Sequence, residues 1–437
     1  MLVLSSLSSL WVRVRDFVAP HLATAARGNP RWIRILFLIF VYATVAAASF
    51  EGFYQKWGLR DGGQRYSFVE MIEGTAHRPF VNRQLLPKAA NFVEHTLPVG
   101  AKEWIIEEAN VRWWWEERNL LSRLRIDPVH DRQYLVRYLF VYFTSVAFLF
   151  AALFVMRKLC LEIGVGEVAA TLAPALFALS LEYLLSMGGF FYDFPEVFFL
   201  ATAFLLAYKG RWLALLPLSA LATYNKESFV FFTPALLPLF LARYPWKRSV
   251  AIVGTVGLVA GLTHLLGRMP YLHNPGASAE SWLRNSIRFY LNPKNLIAFE
   301  ANYGIITPRA YSIFSFVLLG LLFLRGWRGL AKPLRQHGLL ILAINFPLVL
   351  VFCGPGEMRN FSLCYMILLL VMAQNLSLWV NQAAASSTLP AEPALASSPE
   401  VRLSQTRQVG WATPGGATPR AESASSASEI ASRTRGS

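Results

Sequence analysis

Charge is what this sequence has least of. Only 15% of its 437 residues are Asp, Glu, Lys or Arg, against roughly 25% in soluble domains. A chain that is 55% hydrophobic and 14% aromatic, with a mean hydropathy of +0.40, lacks the polar surface to keep that apolar mass in water. The shortage excludes a disordered chain, an ordinary soluble enzyme and a nucleic-acid-binding module. Cysteine is scarce too. Three residues, Cys160, Cys353 and Cys364, give no disulfide framework, and all three read as small hydrophobes in or beside apolar runs. Several chemical signatures are missing from the sequence: His/Cys metal spacing, a phosphate-cradling Walker loop, a Gly-x-Ser-x-Gly elbow and a His-Glu-x-x-His pair.

What is present is a series of apolar runs. A bilayer-crossing helix needs about 20 such residues. Ten runs qualify as candidates, near 33–50, 134–156, 167–187, 190–208, 212–224, 228–241, 250–266, 308–324, 339–352 and 361–380. The expected fold class is therefore all-α, a polytopic membrane protein with about ten transmembrane helices. The fifth and sixth runs are short and divided only by Asn225, Lys226 and Glu227.

The net charge of +15 sorts the loops. Clusters at 157–158, 209–211, 243–248 and 325–335 are basic and hold no acid, while those at 188–189, 225–227, 267–307 and 354–359 are neutral or mixed. This alternation is the positive-inside pattern. It predicts cytoplasmic N- and C-termini, and it works only if the fifth and sixth runs are separate spans. Residues 1–30 show no apolar segment followed by a cleavage site, so they are expected to form a cytosolic lead-in. The membrane domain is expected over 31–380, and residues 381–437, rich in Ala, Ser, Pro and Thr, read as a disordered cytosolic tail.

Two long outer loops are expected. The first, 51–133, balances twelve acids with twelve Lys and Arg. It carries amphipathic stretches at 85–97 and 102–124, the second including Trp113, Trp114 and Trp115, and both read as helices lying on the membrane surface. The second loop spans 267–307.

Ionisable groups at the ends of spans are the informative residues, because each costs about 2.5–3.5 kcal/mol at a helix centre. Four clusters fall on the expected outer side. Asp61-Gly62-Gly63-Gln64-Arg65-Tyr66 offers a carboxylate on a glycine turn and an anion-holding Arg65; it equally fits a solvated Asp-Gly turn. Asp193 and Glu196 have the spacing of a helix capping box or place acids at the membrane face. Lys226 and Glu227 are neighbours that point about 100° apart on a helix, so each either seeks a partner elsewhere or snorkels to the interface. Gly354-Pro355-Gly356 re-aims the chain so that Glu357 and Arg359 sit at the mouth of the last helix, as a plain turn with an ion pair or as part of a site.

Taken together, these clusters resemble the GT-C superfamily of membrane glycosyltransferases, particularly the bacterial lipid-A aminoarabinose transferases and protein O-mannosyltransferases. The resemblance rests on Asp61 to Tyr66 early in a long outer loop, on Asp193-Phe194-Pro195 at the start of a later span, and on Leu221 to Lys226. The order of these elements also agrees. Gly62 stands where the family pattern has a second acid, and the gap from Asp61 to Arg65 is one residue longer.

The resemblance implies transfer of a sugar from a polyprenyl-phosphate donor to an acceptor hydroxyl on a glycan, lipid or protein. It implies Asp61 as base, with Asp193 assisting and Glu51 as the fallback. Lys226, Arg65 and Arg359 would face the leaving phosphate, with Tyr66, Glu227 and Glu357 binding substrate. No cofactor is expected, and a divalent metal at Asp61 and Asp193 is left open. The expected partners are membrane lipids, the lipid-linked donor and the acceptor, with no nucleic acid. The expected location is a bacterial inner membrane serving the cell envelope. Two alternatives stand beside this reading: an O-antigen-type polymerase or ligase, and a multi-pass transporter or flippase. The one-sided placement of the clusters and the absence of paired halves speak against the transporter.

Overall fold

The protein is described from a computed structural model, which covers residues 31–59, 65–109, 132–277, 279 and 281–387. Asp61 to Gln64, the 113–115 tryptophans and the tail beyond Ser387 lie outside the described residues, as do residues 1–30.

Helices make up nearly all the regular structure. The principal ones are α1 (Arg31–Trp57), α2 (Leu85–Thr96), α3 (Val99–Ala109), α4 (Leu135–Glu162), α5 (Glu167–Leu184), α6 (Asp193–Tyr208) and α7 (Trp212–Asn225). After a broken segment come α8 (Trp246–Arg268), α9 (Leu283–Tyr290), α10 (Ile313–Gly326), α11 (Lys332–Phe352) and α12 (Tyr365–Ser387). Strands β1 (Phe299–Asn302) and β2 (Ile305–Pro308) form one antiparallel hairpin. Six helical stretches are long and apolar enough to cross a membrane: Trp32–Trp57, Leu135–Glu162, Glu167–Leu184, Trp246–Tyr271, Lys332–Phe352 and Met358–Gln382. The chain is thus an all-α, multi-pass membrane protein. The other four apolar runs also fold as helix but are shorter. At 1.5 Å per residue the 14-residue α7 and α10 reach only about 21 Å.

The core is a bundle in which α4 packs on α5 and α6, α1 lies against α4 and α5, and α7 lies between α6 and α8. Aromatic rings fill it: Phe50 meets Phe53, Tyr142 and Phe194 at centroid distances of 5.5, 5.0 and 5.0 Å. Side chains pointing away from this core are also apolar, as along α8 and α10, where Leu258, Leu262, Leu318 and Leu321 are exposed. An apolar outside is what a lipid-facing bundle requires.

The break between the fifth and sixth runs is real. Helix α7 ends at Asn225, and Lys226 takes an extended conformation (φ −158°, ψ 128°). The chain then continues as Phe229–Phe232, a 3-10 turn Thr233–Leu236 and Leu237–Leu241. Pro234 and Pro238 lack backbone N–H groups, which interrupts the α-helical ladder there. The far ends of the pair meet again. Arg243 Nε donates to the Tyr208 carbonyl at 2.5 Å, and the Tyr244 hydroxyl to that of Gly210 at 3.0 Å. Helix α7 and the broken segment therefore form a helical hairpin with Lys226 and Glu227 at its tip.

In the first long loop the expected 85–97 helix is present as α2. It packs against the start of α4, burying Leu86, Pro87 and Ala90, so it rests on protein along that face. The described part of the second stretch is α3.

Candidate functional site

The tip of the α7 hairpin is where the chain gathers charge. Lys226 reaches Asp193 Oδ1 at 3.0 Å and Glu196 Oε2 at 2.6 Å. Both acids sit on the first turn of α6, so their i, i+3 spacing puts them on one face. The capping-box reading is overturned here: the N-cap is Tyr192, which makes no side-chain cap bond, and both carboxylates turn to Lys226. Asp193 Oδ2 accepts from the Phe190 N–H at 2.9 Å and lies 3.4 Å from Arg359 Nη1. Glu196 Oε1 accepts from the Ser228 and Ser362 hydroxyls at 2.7 and 2.8 Å. Relative exposure is 7% at Asp193, 5% at Glu196, 4% at Lys226 and 6% at Arg359. Snorkelling of Lys226 is thereby overturned as well: its ammonium is buried and ends on two carboxylates rather than at the interface.

Glu227 pairs with a residue from the first loop. Arg83 forks onto it, Nε to Oε2 at 3.1 Å and Nη2 to Oε1 at 2.5 Å, and its Nη1 donates to the Tyr192 hydroxyl. Burial would push the Glu227 carboxyl up, but the Arg83 charge and hydrogen bonds prevail and hold it at about 2. Arg83 is correspondingly held above its ordinary value: burial opposes its charge and Glu227 more than restores it.

The Gly-Pro-Gly turn completes the constellation. Gly356 takes φ +83°, the left-handed region, and its N–H donates to the Tyr290 hydroxyl at 3.1 Å. Glu357 Oε2 then receives Asn360 Nδ2 at 2.8 Å and lies 3.3 Å from Arg359 Nη2. Aromatic rings floor the cluster. Phe190 and Tyr192 stack at 4.9 Å, with Arg359 over Phe190 at 4.6 Å and Arg83 over Tyr192 at 4.7 Å. Such contacts are worth about 0.5–2 kcal/mol each, more where water is absent. A void about the size of one water lies between Leu181, Leu185 and Tyr365 on one side and Asp193, Glu196 and Arg359 on the other.

The structure thus brings together Asp193, Lys226, Glu227, Glu357 and Arg359. Tyr66 joins at the edge, its ring 5.3 Å from Phe80 and 5.8 Å from Phe190. Arg65 is exposed, and its carbonyl accepts the His77 N–H at 2.9 Å. Glu51 is exposed, with Gln55 Nε2 on its Oε1 at 2.5 Å. Asp61 lies outside the described residues. Sequence reasoning missed Arg83 and the two serines on Glu196. Among the described residues no group of three or more His, Cys, Asp or Glu could hold a metal ion.

No protein-family model, curated protein or solved structure matches the chain. The site is therefore read from its own chemistry. Three cations (Arg83, Lys226 and Arg359) face four acids (Asp193, Glu196, Glu227 and Glu357), and the groups are interleaved. Breaking such a buried pair from one side costs about 3–5 kcal/mol. This interleaving fixes the acids rigidly at one end of the bundle. Glu357, with its side chain 28% exposed, is the most accessible of the four.

Proposed function

We propose that this protein is a membrane glycosyltransferase of the GT-C type, moving a sugar from a polyprenyl-phosphate donor to an acceptor hydroxyl at the outer face. The observation that supports it best is the buried, interleaved charge cluster built from the 83 loop, the start of α6, the α7 hairpin tip and the 354–360 turn. Those are segments that the family resemblance and the loop-charge pattern assign to one side of the membrane. In this reading all ten apolar helical runs span, the termini are cytoplasmic and the membrane is a bacterial inner membrane.

The reaction forms a bond from the acceptor oxygen to the anomeric carbon and breaks the bond from that carbon to the phosphate oxygen, which leaves with the electron pair. The acceptor proton goes to a carboxylate, which is general-base work. Asp61 is the base that the resemblance implies. Lys226 is enclosed by Asp193 and Glu196, so its role is to hold them in place. Arg65, four residues after Asp61, is the cation for the phosphate, since positive charge placed in advance stabilises the leaving anion. Asp193 and Arg359, 3.4 Å apart, hold each other and orient the groups around them, Tyr66, Glu227 and Glu357, toward substrate.

The test is mass spectrometry of glycolipids and envelope polysaccharide from a deletion strain carrying wild type or Asp61→Asn at equal protein level. The expected result is a glycan lacking one sugar in the deletion, restored by wild type alone. Full restoration by Asp61→Asn removes Asp61 as the base.

A further inference from the structure

A second polar network, away from the cluster, holds the hairpin. Lys56 at the end of α1 donates to Asn302 Oδ1 and lies 3.5 Å from Glu300 Oε1 and 3.9 Å from Glu182 Oε1. Glu182 Oε1 also accepts the Tyr303 N–H at 2.9 Å, and Arg309 Nε lies 3.7 Å from Glu300 Oε2. Opposed residues of an antiparallel pair share a face. The register Glu300 with Thr307 and Asn302 with Ile305 turns Glu300 and Asn302 toward the bundle, and Asn302 is fully buried. The other face carries Phe299, Ala301, Ile306 and Pro308. It is apolar and open: Ile306 is 81% exposed and Phe299 49%.

We propose that this hairpin is a membrane-surface anchor whose apolar face enters the boundary between headgroups and acyl chains. Its height on the bundle argues for lipid as the occupant. The hairpin turns at Tyr303-Gly304, both at positive φ (51° and 78°), the primed turn that suits a two-residue loop. The Tyr303 hydroxyl donates to the Leu179 carbonyl at 2.9 Å, five residues before the end of α5. Helix α5 has 18 residues, about 27 Å, against a hydrocarbon thickness of about 30 Å. A span that short has no length to spare, so a contact about 7–8 Å inside its end lies at lipid level. The apolar face is also continuous with the exposed side of α10: Phe299 and Phe314 lie 6.1 Å apart, and Phe314 is itself exposed. Backbone pairing within the hairpin satisfies inner N–H and C=O groups, which suits the interface rather than the bilayer centre.

The experiment uses the full chain in lipid vesicles, with Cys353→Ala and Cys364→Ala removing the two less buried thiols. Nitroxide labels are attached at Ile306→Cys, at Phe299→Cys and, as a water-facing reference, at the exposed Lys294→Cys. Oxygen and a neutral nickel complex serve as collision probes. The expected result is a higher oxygen and lower nickel collision rate at 306 and 299 than at 294, with unchanged melting of the labelled protein. Nickel rates at 306 and 299 equal to that at 294 overturn the proposal. So does dipolar broadening between labels on different molecules, which would assign the face to a second copy.

Discussion

Replacing Lys226 by methionine leaves an unbranched side chain one atom shorter and removes its charge. Asp193 retains Arg359 at 3.4 Å, and Glu196 retains the two serine hydroxyls, but two carboxylates at or below 9% side-chain exposure lose their shared ammonium. Removing one partner of a buried pair costs about 3–5 kcal/mol. With an unfolding entropy of about 2.1 cal/mol/K per residue, the described part of the chain converts this to a fall in Tm on the order of 5 °C. A thiol-reactive dye reads it, because Cys160 is fully buried in the folded state. Two comparisons make the reasoning exposed. Lys209→Met removes only a partly exposed pair with Glu162 at 2.7 Å, worth about 0–1 kcal/mol. Lys226→Met combined with Glu196→Gln removes one orphaned charge and regains part of the loss. The reasoning is refuted if Lys226→Met melts with wild type, or if adding Glu196→Gln lowers Tm further by its own full single-mutant amount.

Other substitutions test separate contacts. Arg83→Lys gives up the bidentate fork on Glu227 and the Tyr192 bond, and is expected to cost about 1.5–3 kcal/mol by the same dye assay. The Glu227 carboxyl lies below its unfolded value, so its stabilisation is present in full above about pH 5 and fades as pH falls toward about 2. A Tm series over that range should lose its Arg83-linked slope in Glu227→Gln. A Cβ at position 52 would collide with the Glu182 carboxylate, so Gly52→Ala is expected to cost about 1–3 kcal/mol and to speed limited proteolysis at the 299–308 hairpin.

The apolar runs were legible because the bilayer requirement writes itself into composition: each of the ten runs folds as helix, and even the Asn225–Glu227 break was marked by three polar residues. Three of the four charge clusters lie wholly in described residues, and they converge around Asp193 and Lys226. The failures have a common physical origin. The Asp193 and Glu196 spacing fits a capping box equally well, and only the arrival of Lys226, some thirty residues on, decides between them. Arg83 and Glu227 are separated by 144 positions, and nothing local to either marks the pairing. The β1–β2 hairpin escaped notice because its strands are four residues each, too short for alternation to stand out.

The central claim is transfer from a lipid-linked donor, and purified protein in lipid vesicles tests it most directly. The vesicles would be loaded with polyprenyl-phosphate sugars extracted from the host membrane and supplied with host acceptor extract, and the lipids followed by mass spectrometry. The account predicts that wild-type protein consumes one lipid-linked sugar and releases polyprenyl phosphate, and that a folded Asp61→Asn protein does not. Persistence of every lipid-linked sugar in the presence of folded wild-type protein and host acceptor extract would contradict it.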